Sequence, residues 1–281
     1  MAETLCPTLE KPFAMIRHAE KGERRLDLAG TAHFFPYSFR SDIIRHLRSA
    51  DVVFMEGPLD TESMKKVAEA GKAAESEGHL FDHLRPATLS RLSRLLMPSC
   101  INRVPSFFLH LRCFRAVDPL YDMVRGMKPW LAFFTLWGAF LRGRGWHGSV
   151  DLEFFRVAAE MGKPVRFLET IEEQIEVLES LPVEKLAGFV EQARFWPEYA
   201  DAYITHYLAG DVKSLLSITD GFPSRHWNVI ERRDRILFER LLPHLEKGRI
   251  LACVGAPHLA GIDLLLEENG FALHSVHESG R

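Results

Sequence analysis

Arg24-Arg25-Leu26-Asp27-Leu28-Ala29-Gly30-Thr31-Ala32-His33 starts on charge, turns apolar and ends in Gly-x-x-His. The same order recurs near the other end of the chain. There Arg249-Ile250-Leu251-Ala252-Cys253-Val254 leads into Gly255-Ala256-Pro257-His258. Each apolar run reads as a buried strand, and the residues after each tetrapeptide can turn into a helix. In open α/β sheets such junctions form the ligand-binding edge, outside the carboxyl ends of the strands. Two imidazoles delivered there from distant parts of the chain suggest a metal or catalytic centre.

Outward from the first stretch, Phe13–Arg17 is strand-like and is joined to Arg24–Ala29 by the charged turn Lys21-Gly22-Glu23, so a hairpin opens the sheet. Ser41–Ser49 is a short amphipathic helix with Ile43, Ile44 and Leu47 on one side. Asp51–Glu56 is a short buried strand stopped by Gly57-Pro58. Strand, helix, strand in this order makes a βαβ unit with parallel strands.

Towards the second stretch, Asp151–Met161 is a helix ended by Gly162, with Pro164 soon after. Val165–Glu169 is the next strand. Helices follow over Ile171–Ser180, Val183–Phe195 and Tyr199–Leu208, and a long one over Arg225–Leu245, bent or ended near Pro243. The strand into Gly255, a helix over Leu259–Glu268 and a last strand, Phe271–Val276, complete the pattern. The expected class is α/β: a central mixed, mainly parallel sheet flanked by helices.

Residues 61–147 differ. Their pattern is helical throughout, broken at Pro86, Pro98, Pro105, Pro119, Gly126, Pro129 and Gly143, with no convincing strand. An all-helical insertion over the sheet is expected, within one domain spanning 1–281. Its aromatics (Phe107, Phe108, Phe114, Phe133, Phe134, Trp137, Phe140) form either its own core or the wall of an apolar substrate groove.

With 47% hydrophobic and 26% charged residues the chain can build a substantial core. A net charge of -3 argues against a general electrostatic grip on nucleic acid. The four cysteines share no close spacing, so neither a zinc knuckle nor a disulfide framework is indicated. Residues 1–11 lack an apolar core of signal-peptide length. The most apolar stretch, Pro129–Leu141, falls short of the roughly 20 residues that span a bilayer. A soluble, cytoplasmic protein without a transmembrane span is expected. An interfacial contact through that stretch and a homo-oligomer stay open.

His33, Glu56, Glu169 and His258 all sit at strand ends, and parallel strands bring those ends to one edge. Imidazoles and a carboxylate suit zinc, manganese, cobalt or iron. Such an ion acidifies a bound water, while a second carboxylate accepts a proton. Glu56 follows a buried apolar run and therefore needs a partner, either an arginine or a metal. In Arg232-Arg233-Asp234-Arg235, Arg233 is the candidate to turn inward, because Ile236 and Leu237 continue its face. It would neutralise a substrate carboxylate or steady Glu56 and Glu169. The bland alternatives are histidines that only support a neighbouring group or cap a helix, a structural ion pair and a solvated helix face.

At these residues the chain resembles the TraB family, which includes PrgY, GumN-like and TIKI proteins. LAGTAH is similar to the family's first Gly-x-x-His, and VVFMEGP to its second strand with a glutamate. GSVDLEFFRVAAEMGKPVRFLETIEEQ is similar to its central signature, and ERRD followed by VGAPHLAGIDLLLEENGF to its C-terminal block. The resemblance implies a single TraB-like domain and metal-dependent protease chemistry. Carried over by motif, His33, His258 and Glu56 hold a divalent ion (manganese, cobalt or zinc), with Glu56, Glu169 and Arg233 as catalytic groups. Asp151 and Gln174 fall at the substrate, a peptide or small molecule. Asp234 departs from the family, where the arginine is followed by asparagine. Two rival readings remain: a non-catalytic protein that sequesters a peptide or hydrophobic ligand, and a metal-independent esterase-like hydrolase.

Overall fold

In the computed structural model, which describes residues 9–74, 78–96, 118–225, 229–246 and 248–275, a tight hairpin starts the sheet. Strand β1 (Ile16–Lys21) pairs antiparallel with β2 (Arg24–Thr31), Lys21 opposite Arg24. Gly22 and Glu23 form the loop, and Gly22 takes φ 61°. A glycine first in a two-residue loop suits the twist of the flanking strands. The first strand lies further along than Phe13–Arg17. Phe13 and Met15 are buried ahead of it, and pairing with β2 carries the polar segment from Arg17 to Lys21 into the sheet. Cross-strand partners outweigh local strand preference here.

After β2 come helix α1 (Arg40–Ser49) and β3 (Val52–Met55). Later strands are β4 (Val165–Phe167), β5 (Arg249–Gly255) and β6 (Ala272–Ser275). The order across the sheet is β4-β3-β5-β2-β1-β6. β2, β5, β3 and β4 are parallel, whereas β1 is antiparallel to both β2 and β6. The sheet is therefore mixed and mainly parallel. β5 slots between β2 and β3, and its residues Ile250 to Val254 are all buried. A strand covered on both faces reads as a continuous apolar run, as this one does.

Between residues 61 and 147 the described helices are α2 (Thr61–Ala70), α3 (Pro86–Leu96), α4 (Asp118–Val124) and α5 (Pro129–Gly143). Phe107, Phe108 and Phe114 lie outside the described residues. Further helices are α6 (Val150–Glu160), α7 (Ile171–Glu179), α8 (Val183–Glu191) and α9 (Trp196–Leu208). Among the described residues, buried α5 rings pack on partners outside residues 61–147. Trp137 packs on Trp196 at 5.1 Å, Phe140 on Trp196 at 5.3 Å and Phe133 on Phe189 at 5.8 Å, all buried. They weld α5 to α8 and α9, which follow β4 in the chain.

α9 begins at Trp196 rather than Tyr199, with Pro197 in its first turn, where a missing N–H costs nothing. A short α10 (Val212–Ile218), capped by Asp211, has no counterpart in the sequence reading. α11 spans Glu231–Leu241 instead of Arg225–Leu245 and passes into a 3-10 turn at Pro243. α12 (Leu259–Glu268) follows β5. Among the described residues no helix is long and apolar enough to cross a membrane.

One polar knot ties the hairpin to α1. His18 Nδ1 lies 2.7 Å from Asp27 Oδ1, and His46 Nδ1 lies 3.7 Å from Asp27 Oδ2. Burial alone would raise the Asp27 carboxyl, but its bonds to His18 and His46 hold it near 2, below the ordinary 3.8. The bond to Asp27 raises His18 above its ordinary 6.5. A depressed carboxyl stabilises above its unfolded value and loses that as pH falls towards 2. A raised imidazole stabilises below its unfolded value and loses that as pH rises through the folded one. The knot is therefore strongest between about pH 4 and pH 6.5. Asp27→Asn should cost about 2 kcal/mol at pH 5 in urea unfolding, with a smaller deficit at pH 2.5 and at pH 9. An equal deficit at all three pH values would contradict this.

Candidate functional site

The sheet order sets four side chains in a row. Glu169 stands beyond β4, Glu56 after β3, His258 after β5 and His33 after β2. Adjacent strands are about 4.8 Å apart, so the row is compact. The chain leaves β3 towards β4 and leaves neighbouring β5 towards β6, on the other side. Neighbouring strands whose connections part in this way open a crevice at their carboxyl ends.

Pairing continues past β4. Leu168 N donates to Met55 O at 2.9 Å and Glu169 N to Glu56 O at 2.8 Å, which sets the two glutamates side by side. Two buried carboxylates so placed need a cation. Arg233, 8% exposed on α11, supplies it. Its Nε donates to Glu169 Oε1 at 2.8 Å and its Nη2 to Glu169 Oε2 at 2.5 Å. Nη2 also reaches Glu56 Oε1 at 2.6 Å, while Gly255 N donates to Glu56 Oε2 at 2.6 Å. Burial alone would raise the Glu56 carboxyl. Arg233, then His258, the Gly255 amide and His33 outweigh it and hold the group near 2. Both imidazoles thus act electrostatically on one carboxylate.

His258 is 3% exposed and precedes α12. Its Nδ1 lies 2.6 Å from Oδ1 of Asp234, a buried neighbour of Arg233 on α11. A Cβ on Gly255 would lie 3.3 Å from Glu56 Oε2 and 3.5 Å from His258 Cδ2, so these two groups flank the same point of the backbone. A Cβ on Gly261 would come within 1.9 Å of Asp234 Oδ2. Gly261→Ala should therefore push Asp234 off His258 and cost about 1–3 kcal/mol. Thermal melting checks this, and an unchanged Tm would contradict the placement of Asp234.

His33 stands at the rim with 76% of its side chain exposed, its Nδ1 3.0 Å from Asp151 Oδ2. Asp151, buried in the first turn of α6, also accepts from the Thr31 hydroxyl. Asp151 is the main cause that raises the His33 pKa. Glu56 adds to it and Arg233 works against it. The two histidines are thus alike: each turns Nδ1 to an aspartate and leaves Nε2 for something else. In the neutral ring an Nδ1–H given to a carboxylate leaves the lone pair on Nε2; His33, its pKa raised by Asp151, reaches that form only on losing a proton.

The sequence reading set Asp151 at the substrate and saw Asp234 only as a departure from a motif. Both serve an imidazole. A signal was present for Asp234, since Leu237 and Phe238 lie at i+3 and i+4 and mark its face as inward. Gln174, half-buried on α7, fills the space above Gly57, where a Cβ would meet its Nε2 at 2.3 Å. It stands beside Glu56.

Among the described residues no group of three or more His, Cys, Asp or Glu is arranged to hold a metal ion. The Glu56 and Glu169 oxygens are engaged by N–H donors. What suits an ion is the pair of aspartate-backed imidazoles, the usual outer-shell arrangement of metal-binding histidines. Two cavities lie elsewhere. One of about 150 Å³ is lined by His18, Asp27 and Arg249, and another of about 520 Å³ by Arg85, Arg91 and Glu191. The candidate site is therefore marked by its chemistry and its place on the sheet.

The family model described as TraB/PrgY/gumN family matches residues 15–274. No curated protein matches the chain.

Proposed function

Because this chain belongs to the TraB/PrgY/gumN family, we propose that its row of strand-end residues is the reacting centre of a hydrolase, with peptides as the first substrates to try. The observation that carries this reading is the doubled aspartate–histidine pair at the ends of adjacent parallel strands. A core held together for stability alone has no use for two imidazoles buttressed in the same way beside a clamped carboxylate.

His33 and His258 would hold a manganese, cobalt or zinc ion through Nε2. When bound, such an ion would supply an acidified water and polarise the scissile carbonyl. The chain's own residues do the rest. Asp151 and Asp234 keep the rings in one tautomer and one orientation. Arg233 keeps Glu56 ionised and pairs with buried Glu169. A carboxylate held near 2 is a weak proton acceptor at neutral pH, so Glu56 serves better as a fixed negative charge than as the base. Gln174, packed over Gly57 next to Glu56 in the chain, would meet substrate polar groups.

The lack of a three-ligand group among the described residues favours a second reading. In it His258 accepts a proton from water, and His33, its proton affinity raised by Asp151, donates one to the leaving group.

The test is peptide hydrolysis by protein stripped with chelator and then supplied with manganese, cobalt or zinc. Turnover restored by an ion supports the first reading, and turnover undiminished in chelator supports the second. Tight peptide binding with no turnover in either condition would favour a sequestering protein and end both.

A further inference from the structure

Glu191, the last residue of α8, is committed to the start of α3. Its Oε1 accepts from Arg85 N at 2.7 Å. Its Oε2 accepts from Arg85 Nε at 2.8 Å, from Arg85 Nη2 at 2.6 Å and from the Thr88 hydroxyl at 2.6 Å. An ionised carboxylate has about four lone-pair sites, so this one is filled. Glu191 and Arg85, whose charges cancel, line the cavity of about 520 Å³. The other two cations of its wall have no such partner. Arg91, half-buried on α3, stands at i+3 from Thr88 and i+4 from Ala87 and so shares their face. Arg194, in the 3-10 turn Ala193–Phe195, lies 4.3 Å from the centre of the Phe195 ring. That contact holds a face of the guanidinium and uses none of its N–H groups. Among the described residues neither Arg91 nor Arg194 has a carboxylate within ion-pair distance.

The α8 side of the wall carries Gly188 at i-3 from Glu191, inside the helix. Glycine there is less favourable than alanine. Nothing in the fold asks for it: its φ is not positive, and a Cβ would meet nothing within 4 Å. What the missing side chain supplies is room in the cavity. Like charges on a concave wall focus their field into the space that they enclose. The cavity therefore combines two uncommitted guanidiniums, a saturated carboxylate and space kept open by a helical glycine.

We propose that this cavity binds a small phosphate monoester, with Arg91 and Arg194 on the phosphate. Two guanidiniums match a dianion, and the planar fork of arginine matches phosphate oxygens. A volume of about 520 Å³ falls in the range of small-molecule sites, so there is room for the alcohol that carries the phosphate. Its lining holds no large apolar side chain and offers the Gln192 amide, which suits a hydroxylated body. None of these residues belongs to the strand-end row, so the proposal does not rest on the hydrolase reading.

The test is calorimetry on the unmodified protein at low salt. The probes are glycerol 3-phosphate, inorganic phosphate, succinate and an acetylated triglutamate amide. Glycerol 3-phosphate should bind at one site, tighter than inorganic phosphate and about tenfold tighter than succinate. Arg91→Gln and Arg194→Gln should each weaken it about tenfold. Gly188→Leu fills the cavity and should weaken it at least as much. The Tm of all three variants should stay within about 3 °C of the parent's, because none of them loses a partner. No binding of the phosphate ester at millimolar concentration, or an affinity that any of the three variants leaves intact, overturns the site. Inorganic phosphate or succinate that binds as tightly as the ester overturns the choice of a phosphate monoester. Tighter binding of the triglutamate peptide points to an acidic protein segment and overturns the small ligand. A Tm fall of more than about 5 °C in Arg91→Gln or Arg194→Gln would mean that the fold already holds that guanidinium, and would also overturn the proposal. Failure of the hydrolase reading shows separately, as absence of peptide turnover.

Discussion

Arg233→Ala should lower stability by about 3–5 kcal/mol at pH 7, the range for removing one partner of a buried ion pair. At roughly 2–4 °C per kcal/mol, the Tm should fall by about 6–20 °C. Arg233 makes three short N–H contacts to Glu56 and Glu169, and these are 16% and 3% exposed at the side chain. Without the guanidinium, two adjacent carboxylates must share a site that solvates neither. The pH dependence carries the more specific signature. In the parent protein the depressed Glu56 stabilises above its unfolded pKa, ordinarily 4.5, and loses that contribution as pH falls towards 2. In the variant burial acts unopposed by Arg233 and raises the Glu56 carboxyl. The sign reverses, and acidification below about pH 5 should recover stability relative to the parent. Urea unfolding from pH 3 to pH 8 reads both effects. A deficit under about 1 kcal/mol, or one that does not shrink on acidification, would show that the clamp is not what keeps Glu56 charged.

His258→Ala and His33→Ala should each lower peptide turnover by about 10²–10⁴-fold, the range for removing a positioned proton-transfer or ion-holding group. His258 has the tighter setting: it is buried, with Asp234 2.6 Å from its Nδ1. Asp234→Asn restores the residue expected from the motif and keeps an oxygen able to accept from Nδ1. It removes the charge, so turnover should fall by a smaller amount, about 10–100-fold, with its pH profile moved. Asp234→Ala leaves the ring without its partner and should approach His258→Ala. If Asp234→Ala matched the parent in both rate and pH profile, the aspartate would be a packing residue.

The runs of buried strand were legible because β5 is covered on both faces and is apolar along nearly its whole length. The strand-end glutamates and histidines were legible for the same reason, since each marks where such a run stops. What the chain did not disclose is non-local. Nothing in Gly30 or Gly255 announces that β2 and β5 are neighbours, with Thr31 opposite Gly255. That adjacency is what brings the two imidazoles to the same edge. The aspartate partners were missed for a related reason. Asp151 and Asp234 lie on helices packed against the strand ends; Leu237 and Phe238 mark Asp234 as inward, but nothing local shows that its partner is an imidazole. The β1 boundary went astray because polar residues were drawn into the sheet by pairing. The α5 aromatics were misjudged because their partners, Phe189 and Trp196, come some fifty residues later in the chain. The Asp27 knot was not seen because it depends on the register of His18 against Asp27 across the hairpin.

The central claim is that imidazoles from the two Gly-x-x-His segments serve one centre. A double-mutant cycle on peptide turnover tests it most directly. Residues acting as a unit give strongly non-additive losses, whereas independent sites give losses that multiply. His33→Ala, His258→Ala and the double variant should show the double no slower than about the worse single. Losses that multiply, or a single variant with the parent's full rate, would contradict the claim.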